Sequence, residues 1–295
     1  MRVYITKNSV HTKVKERKKN DLHATHLEFY CDKITFMREK VERKNMKRMS
    51  TFLLEKFNEI EKIHWWWEGR RELIKLMIGK KKPSKVLDVG CGTGETLSFI
   101  QKLYPKAKVY GVDTSSIAIK YAKQRGHKLV YKSRAESLPF KDGTFDTILF
   151  LDVLEHIKDD QVAVDEAKRV LKKGGLILIT SPALSFIWSA HDSDQGHKRR
   201  YTRRAIRKLA NKSGLKIDFV SYFNFFLSFP IIIIRLLSNL KDFRFLSNYD
   251  SGINYDIVKK GIINNFLKYL FVSEIRIIKQ MNYPIGISVF AMFRK

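Results

Sequence analysis

The fold is decided by a stretch in which an apolar strand turns through glycines into a helix, Val86-Leu87-Asp88-Val89-Gly90-Cys91-Gly92-Thr93-Gly94-Glu95. Glycines permit a sharp bend, and they let a bound molecule approach the backbone without meeting a Cβ atom. A glycine-rich turn after a strand is weak evidence when taken alone, because enzymes that bind dinucleotides use a related one. The residues around the turn therefore have to indicate what it binds.

Two acidic residues flank this turn. Asp88 precedes the glycines, where a carboxylate suits a cationic amine, and Asp113 ends the next apolar run. An acid at that second position can accept two hydrogen bonds from the hydroxyls of a ribose. Nicotinamide enzymes direct this turn at a pyrophosphate anion, so Asp88 disfavours an NAD-dependent oxidoreductase. The two acids favour a cationic nucleoside without phosphate.

Short apolar runs alternate with helical segments along most of the chain. The predicted strands are residues 85–89, 108–112, 128–131, 145–151, 176–180, 215–221 and 285–294. Continuous apolar runs separated by helices indicate a buried parallel sheet with crossover helices. We predict a Rossmann-like, doubly wound α/β fold, whose seven-stranded sheet is mostly parallel and has an antiparallel last strand.

The same patterns divide the chain into five parts. Residues 1–48 are basic and weakly patterned, which predicts a disordered arm, and residues 49–84 predict a helical cap. The cofactor-binding core is expected over residues 85–221, and its final strand over residues 285–295. Residues 222–284 predict an apolar helical insertion between these two parts of the core.

Four ordered motifs resemble those of class I S-adenosylmethionine-dependent methyltransferases, in the group called type 11 methyltransferases. They are the glycine turn, residues 135–140 with 145–146, Asp152-Val153-Leu154-Glu155-His156, and residues 170–175. The resemblance covers roughly residues 50–221. Several motifs in the right order are more specific than one glycine turn. The resemblance implies an enzyme that takes its methyl group from S-adenosylmethionine.

The resemblance also implies which residues hold this cofactor. The glycines line the methionine and ribose, Thr114 flanks the adenine, and Ala135 and Glu136 lie at the adenine edge. Relatives often have Asp at the position of Arg134, so here the contact to the adenine amino group passes to Glu136 or to backbone. The predicted cofactor-binding residues are Asp88, Gly90, Cys91, Gly92, Gly94, Asp113, Thr114, Ala135, Glu136 and Asp152.

A segment after the fifth predicted strand carries side chains that are suited to proton transfer. It resembles the H-D-x-x-x-G-H-x-R-R-Y-T signature of a subgroup of these methyltransferases. Methyl transfer needs an in-line nucleophile and the removal of one proton, which histidine can accept near neutral pH. We expect His191 or His197 to be the base, with Asp192 orienting an imidazole.

Further candidates complete the predicted site. His156 follows the fourth strand, where it either faces the transferred methyl group or packs in the core. Tyr201 is a further catalytic candidate, and Arg200 and Trp188 are substrate-binding candidates for an acidic or hydroxylated acceptor. A zinc site from His191, Asp192 and His197 would have no recognised spacing, so no metal is predicted.

Composition indicates the partners. The net charge of +27 indicates an anionic partner, unless it reflects a compositional bias of the source genome. Methylation of nucleic-acid amino groups often uses an Asn-Pro-Pro-Tyr-like motif, where this chain has Asp152-Val153-Leu154-Glu155, so a nucleic-acid partner is disfavoured. Two cysteines without metal-ligand spacing favour a reducing, cytoplasmic environment.

Residues 223–237 are unusually apolar but shorter than the ~20 residues that a membrane span needs. They are also interrupted by Asn224, Pro230 and Arg235. They favour contact with an anionic membrane surface through residues 222–244, a pocket for a lipidic substrate, or a buried helix or dimer surface.

We therefore predict a methyltransferase that uses S-adenosylmethionine and acts on a small-molecule, glycan-linked or lipid-linked acceptor. The predicted location is the cytoplasm, with membrane association as an option. The alternatives are an RNA or protein methyltransferase, and a non-catalytic binding protein that keeps the fold and would not need the cofactor.

Overall fold

The computed structural model describes residues 54–79, 81–238 and 261–295, and all of them belong to one compact unit, residues 53–295. The predicted arm at residues 1–48 and the part of the predicted insertion at 239–260 lie outside the described residues. The five-part division of the chain stays a prediction.

Seven strands form one sheet in the order β3-β2-β1-β4-β5-β7-β6. Strands β1 to β5 pair in parallel, and β7 lies antiparallel to both β5 and β6. This arrangement confirms the predicted fold. The strands are β1 (Lys85–Val89), β2 (Lys108–Asp113), β3 (Val130–Lys132), β4 (Phe145–Leu151), β5 (Leu171–Pro182), β6 (Lys216–Phe223) and β7 (Ser288–Arg294).

Helices connect these strands, and a short helical segment at residues 54–60 precedes the first of them. Two of the helices begin where a side-chain hydroxyl accepts from a backbone amide of the first turn. Ser115 accepts from the amide of Ala118, and Thr202 accepts from that of Ala205. The helices are α1 (Trp65–Ile78), α2 (Glu95–Leu103), α3 (Ser116–Gln124), α4 (Asp160–Val170), α5 (Ala190–Asp194), α6 (Arg203–Lys212), α7 (Ser228–Ser238) and α8 (Ile262–Ile277).

Helix α1 packs against α8, although the two are distant in sequence. A Cβ atom at Gly69 would lie 2.1 Å from the ring of Phe271, so only glycine allows the helices to approach this closely. The Trp66 ring stacks on that of Phe271. The side-chain oxygen of Asn264 accepts from the amide of Trp65 at 2.8 Å. Helices α1 and α8 therefore pack together, although about 200 residues separate them in the sequence.

Two strands, β5 and β7, begin three or more residues away from the predicted start, and the other strand boundaries agree within two residues. Strand β5 begins at Leu171, directly after α4, because Leu171 pairs with Phe145 before a register shift. Strand β7 begins at Ser288 instead of at residue 285. Gly286 lies against the backbone of Phe223, where a Cβ atom would be 2.3 Å from the carbonyl oxygen. In the part of the chain that the structure describes, no helix is long and apolar enough to cross a bilayer.

Candidate cofactor and acceptor site

A cavity of about 1280 Å³ opens where β1, β2 and β4 end. The order of the strands reverses between β1 and β4, and open α/β sheets bind ligands at such a point. Helices α1 and α7 contribute the walls opposite the sheet. The topology therefore brings the predicted cofactor residues and the predicted catalytic segment to one cavity.

The glycine turn lines this cavity. Gly90 and Gly92 both have positive φ angles, of 75° and 52°. A Cβ atom at Gly92 would meet nothing within 4 Å, whereas one at Gly90 would lie 2.5 Å from Val153. The backbone at Gly92 is thus open to a ligand. Cys91 is buried beside it and also lines the cavity, and burial raises the pKa of its thiol.

Asp88 presents a buried carboxylate to the cavity, and 2% of the residue is exposed. Its Oδ1 atom has no hydrogen-bond partner among the described residues. Burial raises the pKa of Asp88 to about 7, Arg70 opposes this increase, and Asp113 and Glu61 add to it. A buried carboxylate without a partner is costly by itself and favourable beside a cation. Asp88 therefore fits the ammonium group of a methionyl moiety.

Asp113 ends β2 and is held by the backbone. Its Oδ2 accepts from the amide of Gly92 at 3.0 Å, and its Oδ1 accepts from the amide of Ser115 at 2.8 Å. Burial raises the pKa of Asp113, and these amides oppose the increase. Each carboxylate oxygen can still accept from a ribose hydroxyl. Fixed in this way, Asp113 lines the cavity beside Thr114.

The predicted adenine edge lies on the same cavity, which Ala135 and Glu136 both line. Exposed Arg134 donates to Glu136 at 2.9 Å, and this hydrogen bond lowers the pKa of Glu136. Arg134 therefore binds Glu136, the residue that was predicted to accept from the adenine amino group. The role of Glu136 toward the adenine stays a prediction.

Asp152 adopts a left-handed backbone conformation after β4, with φ of 58°. A non-glycine residue held there stores strain, which proteins tolerate mainly at functional sites. Its carboxylate accepts from the Thr180 hydroxyl at 3.0 Å and from the Arg70 guanidinium at 2.7 Å. Asp152 and Arg70 both line the cavity, so a charged pair forms part of its wall.

Asp192 holds the predicted catalytic segment in place through buried hydrogen bonds. It is fully buried, and Arg200 donates to both of its oxygens at 2.9 Å. The Nδ1 atom of His197 lies 2.8 Å from Oδ1 of Asp192. His197, His191 and His156 all line the cavity. Asp192 therefore holds one nitrogen of an imidazole that lines the cavity, and its catalytic role stays a prediction.

The three histidines lie close together. The His156 and His197 rings are 4.8 Å apart between centroids, and those of His191 and His197 are 6.5 Å apart. Burial lowers the pKa of His156 to about 4, and the neighbouring His197 acts in the same direction. His156 is therefore neutral near pH 7.

Three predicted site residues lie outside the cavity lining, and a fourth reaches the cavity while bound to other protein groups. Tyr201 is 3% exposed and does not line the cavity, because its hydroxyl donates to Asp160 at 2.7 Å. Trp188 is half-buried outside the cavity lining. Gly94 also lies outside it, at the start of α2. Arg200 reaches the cavity, but its guanidinium is bound to Asp192 and to the carbonyl of Ala183.

Two residues at the cavity had no role in the sequence prediction. Glu155 is fully buried, with Oε2 accepting from Ser181 and Oε1 without a partner among the described residues. Asn224 is 1% exposed, and neither atom of its side-chain amide has a described partner. Asn224 was visible in the sequence as a polar residue in an apolar run. No local sequence pattern indicated that Glu155 would lie beside His197.

Comparison with known proteins finds similarity to methyltransferases. Residues 87–179 match the sequence model of a family described as methyltransferase domain, Methyltransf_11. The demethylmenaquinone methyltransferase of Staphylococcus aureus is 31% identical to the chain over 150 residues. This match covers 47% of the chain and 61% of the relative. The chain thus spans about three fifths of the length of the curated relatives it matches.

Solved structures share the fold at low sequence identity. The Haemonchus contortus phosphoethanolamine N-methyltransferase 2, with phosphomonomethylethanolamine and S-adenosylhomocysteine, has a TM-score of 0.52 at 24% identity, covering 78% of this chain and 52% of its own. The Streptomyces coelicolor geranyl diphosphate C-methyltransferase has a TM-score of 0.51 at 14% identity, covering 77% and 80%. Identities this low bear on the fold alone.

Residues 87–179 are therefore identified as part of a methyltransferase domain, and the sheet has the topology expected of the class I S-adenosylmethionine-dependent fold. The class of protein, its fold and its cofactor, S-adenosylmethionine, were predicted from the sequence and are confirmed.

Proposed function

We propose that the chain transfers a methyl group from S-adenosylmethionine to a small-molecule acceptor with a substantial apolar part. The observation that carries this proposal is the unpartnered, buried carboxylate of Asp88 beside the open backbone of Gly92. Together they suit a cationic ligand that approaches the turn closely. Asp113 is available on the next strand for ribose hydroxyls.

The size and walls of the cavity support an apolar acceptor. Its volume of about 1280 Å³ exceeds the ~300–1,000 Å³ of pockets that hold one drug-sized ligand, so a second molecule has room beside the cofactor. The wall from residues 224–235 and 267 also contains Asn224 and Arg235, but most of its residues are apolar: Leu227, Pro230, Ile231, Ile234 and Leu267. The curated relatives are named as demethylmenaquinone methyltransferases, which accords with such an acceptor.

The histidines supply the remaining chemistry. The cofactor supplies a methyl group on a sulfonium leaving group, so the acceptor gains the methyl and has one proton to lose. His191 or His197 takes that proton. Asp192 holds Nδ1 of His197, which leaves Nε2 for this purpose. The apolar wall excludes water from the acceptor atom.

Calorimetry tests the cofactor site. Asp113→Ala should weaken binding of S-adenosylhomocysteine by about 1.5–3 kcal/mol, or roughly 10–150-fold, because a charge-assisted contact is lost. Asp142→Ala is the matched control, since Asp142 is exposed and lies outside the cavity lining. If the unmodified protein binds no cofactor, the non-catalytic alternative replaces this proposal.

We further propose that the outer side of the inserted helices contacts an anionic membrane surface, from which a lipid-linked acceptor would enter. Large exposed apolar patches mark interaction sites. The exposed side chains are Phe226, Phe229, Ile233, Leu236, Ile262, Ile263, Phe266 and Tyr269.

Flotation with anionic liposomes tests membrane contact. The unmodified chain should float, and Phe229→Asp with Ile233→Asp should abolish flotation without loss of cofactor binding. An unmodified protein that stays at the bottom of the gradient contradicts this part. Salt-dependent RNA binding would instead favour an RNA methyltransferase. The cytoplasmic location stays a prediction.

A further inference from the structure

Glu155, His156 and His197 bring three potential metal-ligating atoms to one place. These atoms all lie within 4.8 Å of one another. Glu155 and His156 belong to the turn after β4, whereas His197 follows α5. The two segments are joined directly, because the amide of Lys198 donates to the carbonyl of Glu155 at 2.8 Å. The cluster is therefore part of the folded framework.

The carboxylate of Glu155 is incompletely satisfied. Its Oε2 accepts from the Ser181 hydroxyl at 3.0 Å, while its Oε1 is buried without a partner among the described residues. An unpaired carboxylate oxygen with no access to water is costly. A cation bound between Glu155 and the two imidazoles would remove that cost.

The surroundings of His197 are those of a metal ligand. A ligating histidine usually donates its other ring N–H to a carboxylate or carbonyl, which orients the ring. Asp192 lies 2.8 Å from Nδ1 of His197 and is itself held by Arg200. Nδ1 is thereby occupied, and Nε2 is the nitrogen left for a ligand.

We propose that Glu155, His156 and His197 bind a divalent first-row metal ion, of which Zn²⁺ is the best probe. Two imidazoles and one carboxylate suit Zn²⁺ better than Mg²⁺, which prefers oxygen ligands. Zn²⁺ bonds of about 2.0–2.2 Å put tetrahedral ligand atoms ~3.4 Å apart. The three side chains would have to close by up to ~1.4 Å, which small torsional changes can supply.

Three protein ligands would leave one coordination position for a water or a substrate atom, as in catalytic zinc sites. If the proposed methyl transfer is correct, an acceptor hydroxyl would bind there and lose its proton more readily. His191 would then be the group that takes this proton, since His197 is occupied. This set of ligands differs from the one rejected on the sequence, which consisted of His191, Asp192 and His197. Glu155 and His156 were not part of that set.

Direct metal binding by the full chain tests this inference. The protein is first dialysed against a chelator, then titrated with Zn²⁺ in a calorimeter and with Co²⁺ in a visible spectrometer. Glu155→Gln, His156→Gln and His197→Gln should each weaken Zn²⁺ binding at least tenfold and reduce the Co²⁺ absorption. His127→Gln is the matched control, because His127 is partly buried and bonded to Ser98 outside the cavity lining.

Absence of Zn²⁺ binding by the unmodified protein overturns the inference, as does binding that persists unchanged in all three cluster variants. Titration with S-adenosylhomocysteine separates the two proposals. A protein that binds this product but no Zn²⁺ retains the proposed function and loses the metal site. If the variants fail to fold, crystals of the unmodified protein grown with Zn²⁺ decide the matter, since anomalous scattering locates the ion between these side chains or elsewhere.

Discussion

Replacing Asp88 by asparagine should stabilise the cofactor-free protein. Burial holds the pKa of Asp88 at about 7, against an ordinary value of 3.8. A folded-state pKa above the unfolded one means that the native state binds more protons, so the native state loses stability as pH rises from about 4 to about 7. At pH 8 this ionisation costs about 4 kcal/mol, and at pH 5 about 2 kcal/mol. Asparagine removes the charge at almost the same volume.

The same substitution should weaken binding of the cofactor. Losing a charge-assisted contact to the methionyl ammonium costs about 1.5–3 kcal/mol, or roughly 10–150-fold in affinity. In the unmodified protein Asp88 must ionise to bind this cation. Affinity should therefore fall by up to about tenfold for each pH unit below 7, whereas the variant should lack this dependence.

Urea unfolding at pH 5 and pH 8, with and without S-adenosylhomocysteine, measures both effects. The stability gained by Asp88→Asn should be larger at pH 8, and the stabilisation by ligand should be smaller than in the unmodified chain. Asp142→Asn provides the control, because its exposed carboxylate should change stability by about 0.5 kcal/mol at most. An Asp88→Asn protein that is less stable at pH 8, or that binds the ligand as well as before, would refute the reasoning.

Three further substitutions test the packing around the site. Asp192→Ala should lower the free energy of unfolding by about 3–5 kcal/mol, because Arg200 would remain buried without its partner, and unfolding in urea measures this loss. Gly69→Ala should cost about 1–3 kcal/mol through its clash with Phe271, which a lower melting temperature would reveal. Tyr201→Phe should cost about 1 kcal/mol while leaving cofactor affinity unchanged, and weaker cofactor binding would restore Tyr201 to the site.

Local patterns were sufficient for the strands that lie at the centre of the sheet. Predicted strands 85–89 and 145–151 have the bounds of β1 and β4. Both are continuous apolar runs, since a central strand is covered on its two faces. The early start of β5 was missed, because it depends on pairing with Phe145 and not on its own residues.

The placement of most predicted cofactor residues at one cavity was also predictable. Asp88, the glycines and Asp113 lie at strand ends, and strand order alone brings such positions to one edge of a parallel sheet. The acceptor half was less predictable. The histidine segment reaches the cavity, but Tyr201 turns into the core to meet Asp160. The direction in which a loop side chain points depends on the residues that it contacts, and the linear sequence does not reveal those contacts.

The sequence by itself thus determined the class of fold and the cofactor turn, because periodicity and glycine spacing express backbone preferences over a few residues. Only the tertiary structure decided which side chains share the acceptor end of the cavity. Gly69 packs on Phe271, and Glu155 lies beside His197, through contacts between segments remote along the chain. Such contacts depend on the packing of the whole core, and no local pattern encodes them.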